Sequence, residues 1–347
     1  MNHKPAAASR RGFLLTCGTL TAAAAVGGCS SSRATSSAKP PASAGELKPF
    51  QRKSRAMGSD ISMLVLHEDP AVGNRALDAA FAELARVENV MSIYLPNSQL
   101  SLLNKNGFLK NPDPYLVEVL HHSQDMARKS DGAFDITVQP LWVLYAAAQK
   151  QNALPSDAAI DVARSTVDYR NISISDSEIR LQKPNMAITL NGIAQGFAAD
   201  KAMAAIKQNG IKHALVNAGE ISSLGKKASG DPWVVGIQHP RQPDAYLGLA
   251  KIDGRCISTS GDYETAFTPD KAYNHIFEPS TGRSPLELSS VTIVAPNATL
   301  ADALSTAIFV LGTEKGLALA HSLADIDAVL VTKSGRQFAT KGFPWNV

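Results

Sequence analysis

Trp233-Val234-Val235-Gly236-Ile237-Gln238, Tyr246-Leu247-Gly248-Leu249-Ala250-Lys251-Ile252 and Arg255-Cys256-Ile257-Ser258-Thr259 are three β-favouring runs, parted by a Pro-containing segment and by Asp253-Gly254. Each is too short for a helix, and Pro, Asp and Gly between them are the residues that turns use. The same pattern predicts strands at 60–67, 170–174, 178–182, 186–190, 213–217, 233–238, 246–252, 255–259, 273–278, 290–296 and 327–332. Apolar residues at helical spacing predict a helix over 72–90, with Leu77, Ala80, Phe81, Leu84 and Val87 on one face. Further helices are expected near 114–129, 138–150, 156–166, 195–208, 299–311 and 313–323. No glycine fingerprint follows the first strand, which disfavours a doubly wound dinucleotide fold. The expected fold class is α+β: one mixed domain over 47–347, mostly antiparallel strands with flanking helices and no internal repeat.

Composition sets the outer limits. The chain has 347 residues, 44% hydrophobic and 19% charged, values that exclude a disordered or fibrous protein. The formal net charge is +3, and Lys4, Arg10 and Arg11, unmatched by any acid in the first 28 residues, account for all of it. A neutral body argues against a general nucleic-acid binder, and no nucleic-acid partner is expected. Cys17, Cys29 and Cys256 are too few for a disulfide framework. Their number permits an oxidising compartment without identifying one.

The first 28 residues read as an address. Ser9-Arg10-Arg11-Gly12-Phe13-Leu14-Leu15 sets a twin arginine before a mildly apolar stretch rich in Ala, Thr and Gly, the layout of a bacterial twin-arginine export signal. The stretch is too weakly apolar to span a bilayer, which takes about 20 strongly apolar residues. It closes on Val26-Gly27-Gly28-Cys29, which resembles a lipobox, so Cys29 is the expected lipidation site. Residues 29–46 then form a lipidated tether rich in Ser, Ala and Pro. The expected location is periplasmic, membrane-anchored by acyl chains, and Ser30 favours the outer membrane over the inner.

Four polar clusters interrupt the apolar pattern of the body. Ser130-Asp131-Gly132-Ala133-Phe134-Asp135-Ile136-Thr137 is a tight turn leading into a helix, where small residues let backbone amides approach a ligand and Asp135 can accept hydrogen bonds from it. A plain Asp-Gly turn with a helix cap accounts for the same residues. Leu190-Asn191-Gly192-Ile193-Ala194-Gln195-Gly196 reads as a strand ending at Gly192 before a helix start, whose free N–H groups suit phosphate or are mere geometry. Ile257 to Tyr263, with Tyr273-Asn274-His275-Ile276, places His275 on a strand among hydroxyls and an amide, as catalyst or as structural residue. In Ala301-Asp302-Ala303-Leu304-Ser305-Thr306, Asp302 and Thr306 lie one helical turn apart and share a face. Two such oxygens suit Mg2+, which keeps waters and takes other ligands from substrate phosphates, although Asp302 also reads as an ordinary N-terminal helix acid.

In order and spacing these segments resemble the ApbE family, the FAD:protein FMN transferases, from Met57-Gly58-Ser59 to the C-terminal strands. The most specific parts are Gly132-Ala133-Phe134-Asp135, Thr259-Ser260-Gly261-Asp262, His275-Ile276 with Pro279 and Thr281-Gly282, and Ala301-Asp302-Ala303 with Thr306. The resemblance implies an ApbE-type fold and Mg2+-dependent transfer of FMN from FAD to a Thr or Ser hydroxyl of an acceptor flavoprotein, with release of AMP. It implies that Met57, Tyr94, Ala133, Phe134, Asp135, Gln195 and Ile276 line the FAD, and that Gly192, Asp302 and Thr306 hold the metal. His275 becomes the residue that aids deprotonation of the acceptor. Tyr94 can stack on a flat ring or be a buried core tyrosine. Two positions depart from the family: Gln195 stands where Lys or Glu is usual, and Asn217-Ala218-Gly219-Glu220 is one glycine shorter than the usual segment. FAD hydrolysis by water and non-catalytic FAD binding are the competing readings.

Overall fold

Ile61, Met63 and Val65 alternate with half-buried Ser62 and Leu64, so one face of their strand is sealed and the other only partly covered. The structure is a computed structural model and describes residues 46–346. The twin-arginine leader, Cys29 and the tether up to residue 45 lie outside the described residues.

The chain opens with hairpin β1 (Lys48–Ala56) and β2 (Ser59–His67), then α1 (Pro70–Met91), α2 (Gln99–Asn106), β3 (Phe108–Lys110) and α3 (Pro114–Lys129). A 3-10 turn at Ile136–Val138 leads into α4 (Gln139–Gln149), followed by α5 (Asp157–Arg164), β4 (Ile172–Ile174) and β5 (Glu178–Leu181). Next come α6 (Ala194–Gln208), β6 (His213–Asn217), β7 (Ile221–Leu224), β8 (Trp233–His239), β9 (Gln242–Ile252) and β10 (Cys256–Gly261). The last elements are β11 (Leu288–Ala295), α7 (Ala298–Ser322), β12 (Asp327–Thr332) and β13 (Gln337–Ala339).

The main sheet runs β1-β2-β6-β7-β10-β11-β12-β13, with every neighbouring pair antiparallel. Helices α1, α6 and α7 cover one face, where Met63 and Val65 meet Leu84, Phe197, Ala202, Leu304 and Ile308. Hairpin β8–β9 covers the other, laying Trp233, Val235 and Ile252 against Leu66, Ile257, Val294 and Val329. A strand between two covered faces needs no polar alternation, and all eight residues of β11 are buried. A satellite cluster joins α4 and α5 to the segment between β10 and β11 through Leu141, Tyr145, Ile160, Phe267 and Phe277. The fold is α+β with mostly antiparallel strands, as the short connections implied.

Two predicted strands are absent. Met186, Ile188 and Leu190 alternate in burial as a strand would, but the Ile188 N–H donates to Asn104 Oδ1 and its carbonyl accepts from Asn104 Nδ2, both at 2.8 Å. A side-chain amide from α2 takes the place of a neighbouring strand, and the chain turns through 191–193 before α6, so no strand ends at Gly192. At 273–278 only two isolated bridges form, Ala266 to Asn274 and Glu278 to Arg283, so His275 sits on a loop. The break between the two expected C-terminal helices falls at Gly312, with φ 77° and ψ −172° inside α7. Glycine tolerates that positive φ, and Glu287 Oε1 accepts the N–H of Thr313 just beyond the kink at 3.2 Å.

Candidate active site

Helices α6 and α7 touch backbone to backbone. A Cβ on Gly196 would lie 2.2 Å from the Ala298 carbonyl oxygen and 2.8 Å from Asp302 Cβ, so only glycine permits the crossing. The contact brings Asp302, 4% exposed, to the first turn of α6, where its Oδ2 accepts the Gly196 N–H at 2.9 Å. Unpaired N–H groups and the positive end of the helix dipole favour a carboxylate there. Helix α6 answers with Asp200, whose oxygens accept the N–H groups of Ala298 and Thr299 and the Thr299 hydroxyl at 2.6–2.9 Å.

One turn beyond Asp302, Thr306 faces the 191–193 turn, and a Cβ on Gly192 would come within 3.0 Å of Thr306 Oγ1. Ser260 Oγ lies 3.1 Å from that hydroxyl and 2.7 Å from Ser305 Oγ, which donates to the Asp302 carbonyl at 2.8 Å. Gly192, Asp302 and Thr306 line one cleft of about 880 Å³. Their donors are carboxylate, hydroxyl and carbonyl oxygens, a hard set with one negative charge that fits Mg2+ and substrate phosphates better than Zn2+. Among the described residues no group of three or more His, Cys, Asp or Glu gathers to hold a metal.

The other expected site residues border the same cleft. Asp131 (φ 51°) and Gly132 (φ 78°) bend the loop after α3, and Ser130 Oγ accepts the Phe134 N–H at 3.0 Å. Asp135 Oδ1 accepts the N–H and hydroxyl of Thr137, and Oδ2 accepts the Tyr169 N–H. Those bonds come from the protein itself and bind the loop together, while burial pushes the Asp135 carboxyl above its ordinary range. Phe134 is buried, with its ring against Gly192, and Ile276 is buried beside His275. Tyr94 is 68% exposed at the rim, which excludes the core-tyrosine alternative. His275 takes the Thr265 carbonyl as partner both for its N–H, at 3.0 Å, and near its Nδ1, at 3.3 Å.

A model of the ApbE family matches residues 57–330. The chain belongs to the ApbE family. Among curated ApbE relatives, FAD:protein FMN transferase of Escherichia coli K12 is 33% identical over 267 residues, covering 73% of this chain and 75% of that protein. A Klebsiella pneumoniae FAD:protein FMN transferase is 31% identical over 335 residues, covering 92% and 93%. The crystal structure of Pseudomonas stutzeri flavinyl transferase ApbE, apo form, superimposes with a TM-score of 0.75 at 29% identity, over 85% of this chain and 95% of that one.

The two departures from the ApbE pattern meet in space. A Cβ on Gly219, which has φ 97°, would lie 2.6 Å from Gln195 Cδ, so the amide lies flat over the shortened turn. Gln195 Nε2 donates to Ser59 Oγ at 2.8 Å and to the Met57 carbonyl at 3.3 Å. Asp262, which the ApbE resemblance placed among the most specific residues, is fully buried and pairs in two-pronged fashion with Arg241 at 2.7 and 2.8 Å. It anchors the segment that carries His275. Sequence reading missed Arg55, Glu88 and Trp142, which also border the cleft, as does Glu220 of the shortened segment. Glu88 and Arg55 look like surface charges on an amphipathic helix and an edge strand, and no motif marks them.

Proposed function

We propose that this ApbE family member is an FAD:protein FMN transferase that moves FMN from FAD to a Thr or Ser hydroxyl of an acceptor protein and releases AMP. The coarse activity is that of its curated relatives; the observation that carries the finer reading is the approach of Gly192 to Thr306 beside Asp302 within one cleft. Asp302, Thr306 and the Gly192 carbonyl would hold Mg2+. Bound there, Mg2+ would supply positive charge against the negative charge that builds on a diphosphate under attack. The chain's own residues do the rest. Tyr94 offers an exposed ring face for stacking, and Met57, Ala133, Phe134, Gln195 and Ile276 border the space for the dinucleotide. With Nδ1–H donating to the Thr265 carbonyl, His275 Nε2 would be the basic nitrogen and would take the acceptor proton as the new O–P bond forms and the bond to AMP breaks. The further proposal is a transferase domain over 47–347 that is exported by the twin-arginine leader and held at a periplasmic membrane face by lipid on Cys29.

The test is mass spectrometry of a flavoprotein acceptor after incubation with this protein, FAD and Mg2+. One FMN on a Thr or Ser with an equal yield of AMP is the expected result. AMP released without acceptor assigns the cleft to FAD hydrolysis, and intact FAD throughout assigns it to binding alone.

A further inference from the structure

The β1–β2 hairpin closes on Met57-Gly58, both with positive φ (51° and 76°), between the paired residues Ala56 and Ser59. Two-residue loops of this kind favour Asn-Gly, because a side chain without a short polar group resists the left-handed conformation. Methionine at the first position keeps a long apolar side chain at the cleft and leaves its backbone conformation to be held from outside. Both polar groups of the Met57 backbone are held. Its N–H donates to Glu88 Oε1 of α1 at 2.8 Å, and its carbonyl accepts from Gln195 Nε2 of α6 at 3.3 Å. Gln195 also binds Ser59 Oγ, on the far side of the same turn. Gly219 leaves the space in which the Gln195 amide lies.

We infer that Glu88 is a positioning residue, forming with Gln195 a clamp from two helices that holds Met57 left-handed at the dinucleotide end of the cleft. The substrate half of the inference rests on the function proposed above. A loop locked before the ligand arrives spares the ligand the cost of ordering it. The clamp needs a donor at position 195: a carboxylate there could not donate to the Met57 carbonyl, whereas the Gln195 amide does.

The experiment uses the full-length protein in detergent, as wild type, Glu88→Gln, Glu88→Ala, Met57→Asn and the double variant Met57→Asn/Glu88→Ala. Two quantities are read: hydrogen exchange at the Met57 amide without ligand, and FAD affinity by flavin fluorescence in EDTA, where FAD is not consumed. In Glu88→Ala the amide exchanges about tenfold faster or more, and FAD affinity falls about five- to tenfold. Glu88→Gln retains an acceptor oxygen and stays within about threefold of wild type on both measures. In the Met57→Asn background, where Asn-Gly closes the turn unaided, Glu88→Ala changes FAD affinity less than about twofold. Unchanged Met57 exchange in Glu88→Ala overturns the clamp. An equal loss of FAD affinity in both backgrounds overturns its link to the turn. If the wild type binds no FAD, the proposed function and the substrate half of this inference both fail, while exchange still decides the clamp.

Discussion

The two walls of the cleft are built in opposite ways. The wall made by α6, α7 and the 191–193 turn is part of the main core: Gly196 lets two backbones touch, and Asp200 and Asp302 each satisfy the first turn of the other's helix. The facing wall, from Asp262 to Glu287, contains no helix or named strand, and His275 rides on it. Its shape comes from the Asp262–Arg241 pair and a small aromatic cluster in which Tyr145 meets Phe267, Tyr273 and Phe277 at 5.1–6.0 Å between centroids. The oxygens suited to a metal are thus fixed by the same packing that fixes the fold, whereas the histidine is fixed by a separate set of contacts. Geometry at one end cannot drift without disturbing the core. The other end can change locally.

That contrast is open to direct attack. The largest expected effect is on the core wall, where Asp302→Ala lowers FMN transfer on the order of a thousandfold in a mass-spectrometric labelling assay. On the outer wall His275→Ala lowers transfer about a hundredfold and shifts the thermal midpoint little, since the backbone N–H bond to Thr265 survives when the Nδ1 contact with the same carbonyl is lost. Asp262→Ala strands Arg241 and costs roughly 3 kcal/mol, the low end for a broken buried pair because Arg241 stays partly in water. Limited proteolysis should then cut within 262–287 before the rest unfolds; cleavage spread over the whole chain would erase the distinction between the walls. Gly196→Ala forces α6 from α7 and costs about 1–3 kcal/mol, measured by urea denaturation, with weakened Mg2+ binding in the same variant. The smallest effect concerns Cys256, whose thiol burial pushes up to about 12. A raised value means that the folded state holds the proton, so this contribution to stability is intact below the ordinary thiol range and fades as pH climbs toward 12. Thiol reagents should leave Cys256 unmodified in the native protein at pH 8 and react once it is unfolded.

Much of this arrangement was legible in the sequence where periodicity or residue type admits one solution. Asp302 and Thr306 share a face because a helix repeats every 3.6 residues, and Gly312 broke the last helical pattern where the backbone breaks. Apolar alternation misled at 186–190, because Asn104, more than eighty residues earlier, supplies the hydrogen bonds a neighbouring strand would. Strands β1, β3, β7 and β13 escaped notice for a related reason: they are short or highly charged, and their partners rather than their own residues make them strands. Asp262 and Asp135 stood out as polar residues in a motif, yet it is the fold that brings Arg241 to one and the Thr137 and Tyr169 amides to the other. Glu88 was invisible because its role depends on a turn that the sequence fails to announce.

Strand β1 forms one border of the eight-stranded sheet over nine residues and carries Lys48, Arg52, Lys53 and Arg55. Its outward N–H and C=O groups form a ready template for another strand, but two copies meeting there would bring like charges face to face. The opposite border, β13, is only three residues long. A sheet this wide therefore resists growing from molecule to molecule, and high salt, which screens those cations, is the condition under which self-association should first emerge.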